Sequence, residues 1–208
     1  MKSTHIAVYA AIVAASVAST VNADTFAERN YAYGGLGIFQ FSDKFYGESL
    51  GTGVAIEGGA NFNIAPKIDA EGNFKFISAS KNGFTWSRFD IGGNGTYWFM
   101  PGGQINPFAG GGLFLANYSL DYEFSGFSAS ESESKLGLKF YGGAELDLVP
   151  ELWLRGAMSV EFVNSENTVS IYGLGGYKFT DAISAYSKLE FWFDPSVILF
   201  TVGGTYKF

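Results

Sequence analysis

Carboxylates are the residues of this chain whose types and spacing could support acid–base chemistry. There is no cysteine, and the one histidine, His5, falls in an N-terminal segment read below as a leader. Without them, Ser–His and Cys–His nucleophile pairs and a His-ligated zinc site cannot be assembled. Two carboxylates can still act as general acid and general base. Glu145 with Asp147, Glu161 and Glu190 are the candidates. Lys139, Arg155 and Lys188 lie in the same segments, so ion pairing is the stronger reading of these acids. Glu131 and Glu133 offer oxygen ligands to a divalent cation but lack EF-hand spacing, and their Ser- and Glu-rich stretch reads as a solvated surface loop. Asn94-Gly95-Thr96 and Asn117-Tyr118-Ser119 match the glycosylation sequon by chance, inside expected strands. The 28 glycines form no G-x-G-x-x-G and no P-loop, so nucleotide binding has no support. A net charge of -7 argues against a nucleic-acid partner, since phosphate backbones are held by clustered Lys and Arg. No catalytic residue, metal, cofactor or soluble ligand is indicated.

The elements that position these charges begin after an address. Lys2, the apolar and small-residue run Ile6 to Ala18, and Val21-Asn22-Ala23 give a secretory signal peptide over residues 1–23, leaving 24–208 as one domain. The run is shorter than the ~20 apolar residues a spanning helix needs. Beyond it the composition is rich in aromatics (18%) and poor in charge (16%), which excludes disorder.

Past residue 30 the hydropathy period is two, the strand signature. Ten segments carry it: Tyr31 to Phe41, Val54 to Ile64, Ile68 to Phe76, Phe84 to Phe99, Ile105 to Tyr122, Leu136 to Leu148, Leu152 to Phe162, Val169 to Phe179, Ile183 to Phe193 and Val197 to Phe208. The charges keep to one parity. Glu57, Glu71, Lys75, Arg88, Asp90, Lys139, Glu145, Arg155, Glu161, Lys188 and Glu190 all fall on the polar rows. Between segments lie short Pro-, Gly- or Asp-bearing turns at 65–67, 100–104, 149–151 and 180–182. They alternate with polar connections near 42–50, 79–83, 123–134, 164–167 and 194–196.

Both a soluble β-sandwich and a membrane barrel give period two. The barrel is preferred on three grounds. The segments match the 9–11 tilted residues that cross a bilayer. Aromatics end the apolar rows, as in Tyr97 and Phe99, Phe191 and Phe193, and Tyr206 and Phe208, where interfacial girdles belong. Opposite charges recur at comparable depth on the polar rows, as suits a confined lumen. The expected fold is therefore all-β: a closed antiparallel transmembrane β-barrel of about ten strands, with eight as the alternative.

The final segment, Phe200-Thr201-Val202-Gly203-Gly204-Thr205-Tyr206-Lys207-Phe208, puts Phe200, Val202, Tyr206 and Phe208 on one row. It resembles the terminal signature by which bacterial outer-membrane barrels are recognised by their assembly machinery. Tyr31-Ala32-Tyr33-Gly34-Gly35-Leu36-Gly37-Ile38-Phe39 resembles the first strand of the outer-membrane protein A-like, or porin-family, β-barrel domain, and Tyr177 to Ile183 its late hairpin turn. The resemblance spans residues 24–208. It implies integral residence in the bacterial outer membrane, contact with its lipids, and insertion through the C-terminal strand. The small family members have eight strands rather than ten, and no soluble peptidoglycan-binding domain is expected after the barrel. The leading function is a non-enzymatic envelope-structural or surface-presenting barrel with a largely plugged polar lumen. A narrow diffusion pore for ions or small solutes is the alternative, and a loop-mediated adhesin the second.

Overall fold

A computed structural model of the chain describes residues 30–42, 44–45, 48–124, 127–164 and 166–208, so the expected leader lies outside the described residues. In chain order the strands are β1 (Tyr31–Phe41), β2 (Lys44–Phe45), β3 (Glu48–Ser49), β4 (Thr52–Ala65), β5 (Ile68–Lys81), β6 (Phe84–Trp98), β7 (Ile105–Phe124), β8 (Phe127–Val149), β9 (Leu152–Val163), β10 (Glu166–Lys178), β11 (Ile183–Phe193) and β12 (Ser196–Lys207). β2 and β3 form a small ribbon of their own, and the other ten close into one barrel. Ten strands, not eight, is the count.

Every neighbour is antiparallel, and β1 closes the ring by pairing with β12, Tyr31 opposite Lys207 and Phe41 opposite Val197. The first and last barrel strands therefore start and finish at the same end, called the terminal end below. Following paired residues once round the ring returns to β1 displaced by about 12 residues, which sets a strand tilt of about 40° and a ring about 20 Å across. That bore is narrow enough for side chains from opposite walls to meet.

Parity sorts the side chains as the sequence pattern requires. Leu36, Ile38, Val54, Ile56, Leu113, Leu138 and Phe200 stand exposed on the outer surface. So many large apolar groups on a water-facing surface would be an aggregation liability; around a barrel they form a lipid-facing band. At the terminal end this band finishes in edge-to-face aromatic pairs, Phe62–Phe208, Tyr97–Phe99 and Tyr177–Phe179.

The inner face follows a second rule, in which large rings lie over glycines directly opposite on the neighbouring strand. Tyr33 pairs with Gly59 and Phe39 with Gly53, Tyr141 with Gly110 and Phe114 with Gly137, Trp153 with Gly176, and Tyr186 with Gly203. A Cβ on any of these glycines would come within 3.0 Å of the ring it faces. The glycine is the space the ring occupies.

Two expectations about the connections need correction. The stretch 123–134 is not a loop: β7 and β8 run on as a ribbon, Phe124 opposite Phe127, well past the last β9 partner of β8 at Gly137. Glu131 and Glu133 sit on this ribbon. The other connections at that end are shorter than expected. β5 and β6 are joined through Asn82-Gly83 alone, both at positive φ (54° and 77°) as a two-residue hairpin turn requires. Only the segment from β1 to β4, which carries the β2–β3 ribbon, is long.

Candidate functional site in the lumen

The polar rows converge inside the barrel. Lys75 Nζ lies 3.0 Å from Glu190, while Lys188 bridges Glu190 at 3.4 Å and Glu57 in a closer contact. Because β11 is separated from β4 by β12 and β1, this chain of charges crosses the bore. A second group joins Arg88 to Asp90 at 2.8 Å and to Glu161 at 3.0 Å, with Lys139 on the same Glu161 at 3.2 Å. A third pairs Arg155 with Glu145 through two guanidinium nitrogens at 2.6 and 3.0 Å. Glu145 is fully buried (0% exposed), so this cation is its compensation. Of the eleven charges expected in the lumen, ten stand in ion pairs, and Glu71 does not. Glu71 instead accepts from the Tyr33 hydroxyl at 2.9 Å and the Asn73 amide at 2.7 Å.

Of the carboxylates considered for acid–base work, Glu161 and Glu190 each hold two cations and Glu145 is locked by Arg155. Among the described residues no group of three acidic or histidine side chains is placed to hold a metal.

All four tryptophans also occupy lumen-facing rows, a feature the charge pattern does not reveal. At the end away from the termini, Phe39, Phe41, Leu50, Ile77, Trp192 and Leu199 pack into one buried cluster, with Trp86 against it. Phe41 meets Trp86 edge-on at 5.1 Å. Leu50, from the β1–β4 connection, reaches into the mouth. At the terminal end Trp98 packs with Phe108 and donates from its indole to Asp69 at 2.9 Å. Trp153, 1% exposed, packs with Tyr31 and Tyr186. Between these layers is a cavity of about 200 Å³ lined by both charges and tyrosines. The signal for these layers in the sequence is that Trp86, Trp98, Tyr141, Trp153, Tyr186 and Trp192 share the parity of the charged residues on their own strands.

On the outside, Phe200, Val202 and Tyr206 form one exposed row of β12, which Phe208 continues just past the strand. Lys207 sits on the opposite parity.

A closed antiparallel barrel with an apolar exterior and an ion-paired interior is a transmembrane β-barrel. The chain belongs to the outer membrane protein beta-barrel domain family, whose model matches residues 7–159. The barrel is thus an integral protein of the bacterial outer membrane. Comparison by sequence with curated proteins gave no match. Among solved structures the chain is similar to the translocator domain of the autotransporter NalP from Neisseria meningitidis, with 11% identity, TM-score 0.57, and coverage of 98% of this chain and 94% of that one. It is also similar to the beta domain of the Bordetella autotransporter BrkA, with 14% identity, TM-score 0.54, and coverage of 86% and 99%. At these identities the likeness is one of fold.

Proposed function

We propose that this protein is a non-enzymatic barrel with a closed lumen, which works by presenting the β7–β8 ribbon outside the cell. The observation that carries this reading is the apolar cluster at the mouth away from the termini. Its rings interlock across the bore, and behind them lie charges paired from wall to wall. An even number of strands puts both barrel ends on one side, periplasmic in bacterial barrels of this type, so the ribbon faces outward. Export with removal of residues 1–23, and insertion through the β12 row ending in Phe208, complete the proposal. The ribbon also favours a second reading as a binding surface, since β8 from Ser128 to Leu136 pairs with no strand on the β9 side among the described residues.

The test of the closed lumen is ion conductance of the refolded protein in a planar bilayer. Only small, flickering currents are expected. A steady conductance like that of a wide general porin would overturn the reading and put a diffusion pore in its place.

A further inference from the structure

We propose that the lumen chamber binds a small organic ammonium ion through Glu71 and the tyrosines around it. The recognition rule is already used by the protein's own side chains. Arg155 pairs with Glu145 and lies over the rings of Trp98, Phe108 and Trp153 at 5.6, 5.6 and 5.9 Å. Lys75 pairs with Glu190 and lies over Trp192 at 4.7 Å. Arg88 pairs with Asp90 and Glu161 and lies near Phe114, Tyr118 and Trp192. In each case a cation sits between a carboxylate and aromatic faces. There both the ionic attraction and the attraction of the ring quadrupole are strengthened by exclusion of water.

Glu71 repeats the carboxylate and the rings but pairs with no lysine or arginine among the described residues. Its two hydrogen-bond donors, Tyr33 and Asn73, are both neutral, so no cation is bonded to it directly. Both donors meet the same oxygen, Oε1, which leaves Oε2 to a ligand. Tyr31, Tyr141 and Tyr172 line the same chamber, within electrostatic reach of that carboxylate. The faces of Trp98 and Trp153 are already taken by Arg155, and Tyr31 is buried against Trp153 and Tyr186, so Tyr141 and Tyr172 are the rings offered to a second cation. A volume of about 200 Å³ admits an ammonium bearing a few carbons. A divalent metal ion is the poorer fit, because it needs several oxygen ligands to replace its water and no cluster of three acids provides them. This ligand is separate from the surface role proposed above, and its readout does not depend on conductance.

The experiment is calorimetric titration of the refolded full-length barrel with tetramethylammonium chloride, added either after folding or during refolding. Sodium chloride at equal ionic strength and neutral tert-butanol are the controls. Saturable binding of tetramethylammonium in either arm is expected, at least tenfold weaker in Glu71→Gln and several-fold weaker in Tyr172→Ala. Glu133→Gln on the outer ribbon should bind as the parent does. Heat-shifted gel migration identifies which variants are folded, and Tyr172→Ala carries the test if Glu71→Gln does not fold. No saturable binding by folded protein, equal competition by sodium, or undiminished binding in both folded variants would each overturn the proposal.

Discussion

Gly176 and Gly173 stand three residues apart on β10 and face opposite sides of the wall, which makes them a controlled pair. A Cβ at Gly176 would lie 2.3, 2.4 and 2.5 Å from Cε2, Cζ2 and Nε1 of Trp153. Carbon atoms sit comfortably at about 3.5–4.0 Å, so the indole would have to retreat by more than about 1 Å. It has nowhere to go, being 1% exposed and packed by Tyr31 and Tyr186. Overpacking of this kind costs about 1–3 kcal/mol. A Cβ at Gly173 meets nothing within 4 Å. Alanine there removes the entropic penalty of a strand glycine, a gain of about 0.5–1 kcal/mol, and adds a methyl toward lipid. The backbone gain is common to both substitutions, so Gly176→Ala should be less stable than Gly173→Ala by the overpacking cost alone, about 1–3 kcal/mol. Urea unfolding in lipid vesicles, followed by tryptophan fluorescence, measures both. Equal stabilities, or a Gly176 variant more stable than the Gly173 variant, would refute the idea that lumen glycines exist to seat rings.

Other outcomes follow from the charges and the outer rows. Arg155→Ala leaves Glu145 buried without its cation and should cost about 3–5 kcal/mol, whereas Lys135→Ala removes an exposed pair with Glu133 and a contact over Tyr118 and should leave stability nearly unchanged in the same unfolding assay. Arg88→Ala should lower thermal stability or raise bilayer conductance, since it leaves Asp90 without its ion-pair partner and Glu161 with Lys139 alone. Leu138→Arg places a charge in the lipid-facing band and should cost about 2–4 kcal/mol; a neutral result would mean that this face does not meet lipid. Phe208→Asp should reduce the outer-membrane yield far more than Lys207→Asp, and equal yields in fractionated cells would remove Phe208 from the assembly row.

The barrel was largely legible because lipid and lumen impose opposite demands on alternate residues. β1 and β11 have the bounds expected from the sequence, and the other barrel strands differ mainly where they leave the membrane. The β7–β8 ribbon was missed for that reason. In Ser128 to Lys135 both faces meet water, so serine alternates with acid and no hydropathy contrast marks the strand. Cross-strand contacts hold it instead, such as the Asn117 amide donating to Ser134 at 2.8 Å and the Ser130 hydroxyl donating to Asp121 at 2.6 Å. The charges of the lumen could be placed on one face, but their partners could not. Arg88 meets Glu161 and Lys75 meets Glu190 only through the curvature and stagger of the closed ring. The apolar mouth was hidden because Trp86, Trp192 and Phe39 share rows that their charged and glycine neighbours had marked as polar.

The ring-over-glycine pairs bear on how such a wall is put together without error. A strand sliding by one residue exchanges lipid and lumen faces, and the membrane rejects it. A slide of two residues keeps every face correct, so hydropathy is blind to it. The pairs are not. Such a slide would set Trp153 against Leu174 or Lys178 in place of Gly176, and Tyr186 against Thr201 or Thr205 in place of Gly203. Each of these junctions thus works as a lock and key with a two-residue pitch, rejecting the misalignments that the bilayer lets through.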